Sequence, residues 1–175
     1  MDSLWNRITR VARHCWGDES DLKRIMSSAM FDQLEHKISL SEQRHSGEIR
    51  ICVEVSLPWA ALWKNTPNSQ IFRERALTLF AEMGVWDTAN NNGVLIYVLL
   101  AERHIEIIAD RGINAHVAPD HWNVLVKQMG QSMQKGTFEE GLKQGIDNVT
   151  ETLCRYFPSD DPRNPNELPD RPVLR

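Results

Sequence analysis

The sequence predicts an α/β protein: a three-layer α/β/α sandwich around a small mixed sheet, with extra helices at the N-terminus. Three observations carry that expectation. Residues 94–100, VLIYVLL, are an unbroken apolar run with β-branched and aromatic side chains at its centre, which fits a strand covered on both faces. After a short polar link, residues 104–109 alternate, with Ile105, Ile107 and Ala109 opposed to His104 and Glu106. Two strands joined by so short a link must be antiparallel neighbours. Upstream, residues 48–55 alternate as well, Ile49, Ile51, Val53 and Val55 on one side and Arg50, Cys52 and Glu54 on the other. A helical pattern lies between this strand and the apolar run, and strand–helix–strand order makes the two strands parallel.

Composition sets the class. A chain of 175 residues, 41% hydrophobic and 25% charged, can bury a real core as one domain. A net charge of −4 provides no basic footprint for nucleic acid. Cys15, Cys52 and Cys154 are odd in number and form no CxxC pair, which points to reduced thiols and away from zinc. No leader-like apolar segment and no apolar run near eighteen residues is present, so the expectation is a soluble, cytoplasmic chain with no transmembrane segment.

The remaining elements follow in order. Residues 1–15 have helical spacing, with Leu4, Trp5, Ile8, Val11, Ala12 and Cys15 flanked by Arg7, Arg10 and Arg13. Such a helix either packs on its own domain or lies on a protein partner or membrane-associated assembly. A second helical stretch covers 20–43 and loses phase near Met30, leaving open whether it is one helix or two. Pro58 ends the first strand, and Trp59 and Trp63 follow on a loop or helical turn, either capping a core edge or forming an interaction patch. Asn68 or Ser69 is the expected cap of the next helix, whose stripe is Ile71, Phe72, Ala76, Leu79, Phe80 and Met83. Gly84 suits the left-handed position behind it, with Val85 making the apolar contact. Pro119 opens a helix carrying Trp122, Leu125, Val126, Met129 and Met133, closed by Gly136. Thr137 and Glu140 form a capping box for the last helix, which stops at Pro158. Gly141 and Gly145 on that helix suggest close approach to the sheet. The organisation is therefore an amphipathic extension over 1–30, a domain over 31–157, and a Pro-, Asp- and Asn-rich tail over 158–175 without regular structure.

This topology places the start of the apolar strand and the end of the alternating one at the same rim of the sheet. Asp87, Asn90, Asn91, Asn92, Asp110 and Arg111 gather there, joined by Glu42, Arg44, His45 and Glu48 ahead of the first strand. Carboxylate and amide oxygens are ligands that Ca²⁺ prefers and Zn²⁺ does not. The competing reading is a turn, because Asp and Asn bond readily to their own backbone. Arg111 is either a structural clamp or a bidentate phosphate contact, and His45 either a turn residue or an acid–base group. Glu54 and Glu106 are either solvated or paired with Arg50 and Arg103. No nucleotide-binding glycine loop, GxSxG elbow, HExxH helix or EF-hand loop is present.

Several segments together resemble the TPM domain family, named for a thylakoid-lumen protein of photosystem II repair and an acetylcholine-receptor accessory protein. They are His45-Ser-Gly-Glu-Ile, Trp86-Asp-Thr, Asn91-Asn-Gly-Val-Leu-Ile-Tyr, Ile105-Glu-Ile-Ile-Ala-Asp-Arg-Gly-Ile and Gly136-Thr-Phe-Glu-Glu-Gly-Leu. The match runs over about 31–157 and is nearest to the short, soluble bacterial branch. The resemblance implies an α/β/α sandwich with a Ca²⁺ site at the sheet end, and a plant member is described as an acid phosphatase. By position it implies family site residues at Asp87, Asn91 and Asn92, to which the rim cluster adds Asp110 as a further candidate metal ligand. Where many members have Gly-Tyr-Gly, this chain has Asp110-Arg111-Gly112, so its chemistry departs there. Two functions follow as expectations. One is a non-catalytic Ca²⁺-binding and protein-interaction module. The other is a metal-dependent phosphate-ester hydrolase in which Asp87 and Asp110 help hold the metal, Arg111 clamps phosphate and His45 transfers a proton.

Overall fold

A computed structural model of the chain describes residues 9–11, 27–135, 137–159 and 165–175. Its centre is a mixed four-stranded sheet in the order β3-β2-β1-β4. Strand β1 (Ile49–Glu54) lies parallel to β2 (Val94–Leu99), and β2 lies antiparallel to β3 (His104–Ala109). The apolar run is therefore internal and every residue of β2 is buried. Both faces are covered. One carries Ile49, Ile51, Val53, Ile96 and Ile107 against helices α1 (Ser28–Glu42), α5 (His121–Lys135) and α6 (Phe138–Tyr156). The other carries Cys52, Leu95, Tyr97 and Ile108 against α2 (Trp59–Leu62) and α3 (Asn68–Glu82). The expected three layers are present.

Local chemistry explains the element ends. The loss of helical phase near Met30 marks a helix start: Ser27 caps α1, its hydroxyl accepting from the Met30 N–H at 3.2 Å. Helix α3 ends in Gly84 at φ +68°, with Val85 N–H bonded to Phe80 O and Gly84 N–H to Ala81 O, the paired bonds of a Schellman motif. Both halves of the Thr137–Glu140 capping box are formed. Short helix α4 (Arg111–Asn114) is capped by the Asp110 carboxylate.

Four expectations are corrected. The cap of α3 is Pro67, while Asn68 Oδ1 accepts from Arg10 Nη1 at 2.6 Å. Arg10, placed beside the apolar stripe and not in it, is fully buried and also donates to the carbonyls of Leu62 and Lys64. Of the predicted N-terminal stripe, Val11 packs against the apolar cluster with Cys52 and Leu57, while Leu4, Trp5, Ile8, Ala12 and Cys15, like Gly136, lie outside the described residues. Gly141 and Gly145 approach another helix and not the sheet, since an added Cβ would meet Met133 and Met129 of α5. The tail is not wholly irregular. Val173–Leu174 form strand β4, parallel to β1 through Cys52–Val173 and Val53–Leu174. Among the described residues no helix is long and apolar enough to cross a membrane.

Candidate functional site

Three loops converge where β1 and β2 begin and β3 ends. The register sets this, with Ile49 opposite Val94 and Val94 opposite Ala109. Backbone bonds lace the loops together: Val94 N–H to Glu48 O at 2.8 Å, Asp110 N–H to Gly93 O at 2.9 Å, and Gly112 N–H to Asn91 O at 2.8 Å. A side chain on Gly112 would run into the carbonyl oxygens of Asn90 and Asn91, so this contact needs glycine. Asn91 has φ +52°, a left-handed conformation that Asn tolerates better than most residues.

The predicted ligand residues divide into distinct roles. Asn91 Oδ1 accepts from Arg111 Nε at 2.9 Å, so Arg111 clamps one rim loop to the next. Asn92 is fully buried; its N–H donates to Thr88 Oγ1 at 3.0 Å and its amide Nδ2 to Ser46 O at 3.1 Å. Its Oδ1 is sealed from solvent with no hydrogen-bond partner. Asp110 Oδ1 accepts from the Arg111 N–H at 2.7 Å, while Oδ2 is buried with none. Asp87 is exposed at the head of its loop. Among the described residues no three His, Cys, Asp or Glu side chains could hold a metal ion between them. A cation at this rim would therefore use amide oxygens beside the Asp110 carboxylate.

His45 is enclosed. Its Nε2 is 2.7 Å from Ser41 Oγ and its Nδ1 3.0 Å from Gly47 O, and Ser41 continues to Thr150 of α6 at 2.6 Å. Burial pushes its pKa down to about 4, so the ring is neutral at neutral pH. The ring ties α1, the loop before β1 and α6 together beneath the rim, and it is not presented to solvent.

Glu42 and Glu48 are also buried at this end of the sheet. Glu42 Oε1 accepts from the Ile49 N–H at 2.9 Å, and burial raises its pKa to about 9, with Glu48 adding to the rise. Glu48 accepts from the N–H groups of Glu167 and Leu168, each at 3.2 Å, and burial lifts it to about 7. Glu167 in turn takes the N–H of Ala89, on the loop that bears Asp87 and Asn91, at 3.0 Å. These contacts from the C-terminal segment escaped sequence reasoning; a Pro-rich acidic stretch carries no periodicity to reveal them.

The other two strand carboxylates are neither solvated nor paired as expected. Glu54 is buried and gripped by Arg75 of α3 at 2.6 Å, with the Tyr97 hydroxyl donating at 2.7 Å. Glu106 pairs with Arg73 and His104 at 2.9 and 2.8 Å. The covering helix α3 supplies the cations, whereas Arg50 turns to the carbonyl of Arg171.

A family model described as the TPM domain matches residues 20–152. The chain belongs to the TPM domain family. No curated protein matches it. Among solved structures, this TPM domain resembles the NMR structure of protein BA42 from the psychrophilic bacterium Bizionia argentinensis, with 27% identity and a TM-score of 0.71. That match covers 86% of this chain and 95% of BA42. The N-terminal domain of a P. gingivalis protein shares the fold, at 21% identity and a TM-score of 0.56 over 74% of this chain and 76% of that one.

Proposed function

We propose that this TPM domain is a non-catalytic module that takes up a hard divalent cation, Ca²⁺ foremost, at the rim and thereby sets the shape of a protein-contact surface. One observation carries the reading. Asn92 Oδ1 and Asp110 Oδ2 come from neighbouring loops, and each is buried without a donor. An unsatisfied buried acceptor costs about 1–3 kcal/mol, and a bound cation offsets that cost. Ca²⁺ accepts mixed carboxylate, amide, carbonyl and water oxygens, which is the chemistry of Asp110, Asn92, Asn91 and Asp87. The non-catalytic part of the reading is supported by His45, whose enclosure removes it from any proton transfer at the surface.

Calorimetric titration with Ca²⁺ and with Mg²⁺ tests the reading on wild type and Asp110→Asn. Asn caps a helix about as well as Asp, so the variant should keep its fold while its Ca²⁺ affinity falls at least tenfold. Absence of heat from wild type at millimolar Ca²⁺ refutes the reading, as does equal affinity in the variant. The alternative, a phosphate-ester hydrolase, is favoured by one feature: the Arg111 guanidinium is exposed at the rim.

A further inference from the structure

We propose that the cavity between the β2–β3 hairpin and helix α5 is a binding site for a small amphiphilic carboxylate, its alkyl chain against the sheet and its carboxylate on Arg103. The cavity is about 450 Å³ and lies at the end of the sheet opposite the rim, within the size range of small-molecule sites. Its floor is Val98 and Ile105, directly opposite each other across β2 and β3. Leu100 closes the hairpin side, and Met133 and Phe138 close the side formed by α5 and the start of α6. All five belong to the main core cluster or pack against it. A chamber with such walls holds water poorly and favours an apolar guest.

Gly130 and Arg103 each occupy a position that local structure alone would give to another residue. Gly130 lies inside α5, one turn before Met133 and Gln134, and glycine is a poor residue for a helix interior. On the neighbouring helix the glycines are explained by contact, since a Cβ on Gly141 or Gly145 would strike Met133 or Met129. A Cβ on Gly130 would meet nothing within 4 Å. Gly130 lines the cavity, so glycine there keeps free a volume that a side chain would take. Arg103 ends the link between β2 and β3 at φ +49°, the left-handed conformation that suits Gly or Asn. Glycine would relieve that strain; what arginine adds is a guanidinium. Among the described residues this guanidinium makes no hydrogen bond or ion pair. Glu106, its expected partner, is held by Arg73 and His104, and Glu139, next to Phe138, by Lys143. The exposed Gln134 amide adds a second donor at the same cavity, and no acid is among the described residues that line it. An apolar chamber edged by an uncommitted guanidinium complements a carboxylate that carries a hydrocarbon chain.

Methyl NMR of metal-free, full-length protein tests the site, with octanoate as the probe and 1-octanol as its uncharged counterpart. Octanoate should shift the methyl signals of Val98, Leu100, Ile105 and Met133 saturably, while Ile49 and Val94 at the rim stay unchanged. Arg103→Gly suits the left-handed backbone, so the fold is kept; octanoate should bind about five- to tenfold more weakly and 1-octanol as before. Gly130→Leu fills the chamber, favours the helix, and should abolish the shifts from both probes. Wild type without saturable cavity shifts overturns the proposal. So does equal octanoate affinity in Arg103→Gly, or binding that survives in Gly130→Leu. Octanol bound as tightly as octanoate by wild type would assign the cavity to an uncharged apolar guest and overturn it as well. The wild-type and Arg103→Gly titrations decide the matter even if Gly130→Leu does not fold. No arm involves Ca²⁺, so failure of the cation reading leaves this one standing.

Discussion

Glu48 and Glu54 stand at opposite ends of β1, and both are buried. At the Glu54 end a guanidinium fork from Arg75 and the Tyr97 hydroxyl surround the carboxylate, and the ion pair holds the Arg75 pKa above its usual value. At the Glu48 end the donors are two backbone N–H groups, and the neighbours are other acids. The first arrangement is closed: every oxygen has a strong donor and nothing is left to recruit a ligand. The second is conditional, since its charge state depends on pH and its rim holds two acceptors with no donor at all. Proximity of polar groups is common to both ends. Compensation separates a structural cluster from a candidate site.

Breaking the closed end should have the largest effect. Arg75→Ala leaves Glu54 charged, buried and held only by a phenol, a change that costs about 3–5 kcal/mol in comparable buried pairs. Urea denaturation of the purified variant reads this directly. Calcium heats should stay at the wild-type value, because the rim lies at the far end of the strand. A loss below about 1 kcal/mol would mean that the two ends do not differ in the way claimed.

The next effect belongs to His45 and appears as pH dependence. Its folded pKa lies near 4, below its ordinary 6.5, so the neutral ring is the folded form. Its contribution is therefore complete above pH 6.5 and is lost as pH falls toward 4, amounting to about 3 kcal/mol. Glu42 and Glu48 act oppositely: their raised values contribute stability below about pH 4.5 that is lost as pH rises through about 7 and about 9. Denaturation of wild type and His45→Gln between pH 4 and 8 separates the two limbs. The variant should lack the acid limb and keep the alkaline one. An equally steep acid limb in both proteins would show that His45 is not the group responsible.

The sheet was largely legible because its signals are local. An apolar run and two alternating runs mark β1, β2 and β3, and the short link and the intervening helix give their relative directions without any distant information. From those directions the gathering of Asp87, Asn91, Asn92, Asp110 and Glu48 at one rim followed. Burial was not legible. His45 reads as a turn residue beside Ser46-Gly47, and only the packing of α6 across Ser41 encloses it. The partner of Glu54 could not be found along the chain either, since Arg75 reaches it from the covering helix. Strand β4 was missed for the plainest reason: two residues among prolines and acids have no period, and they form a strand only because the edge of β1 is waiting for them.

The smallest effect is the most discriminating for function. Arg111 is exposed and its side chain makes one hydrogen bond, to Asn91, so Arg111→Ala should change stability by no more than about 0.5 kcal/mol. If the rim binds a cation, removing a nearby positive charge should raise Ca²⁺ affinity roughly two- to fivefold, the scale of a screened Coulomb interaction near a protein surface. If the rim instead hydrolyses phosphate esters, the same substitution removes a contact to the transferred group, and turnover of p-nitrophenyl phosphate should collapse by orders of magnitude. The two readings thus move one variant in opposite directions at almost constant stability, so calorimetry and a turnover assay on a single purified protein separate them.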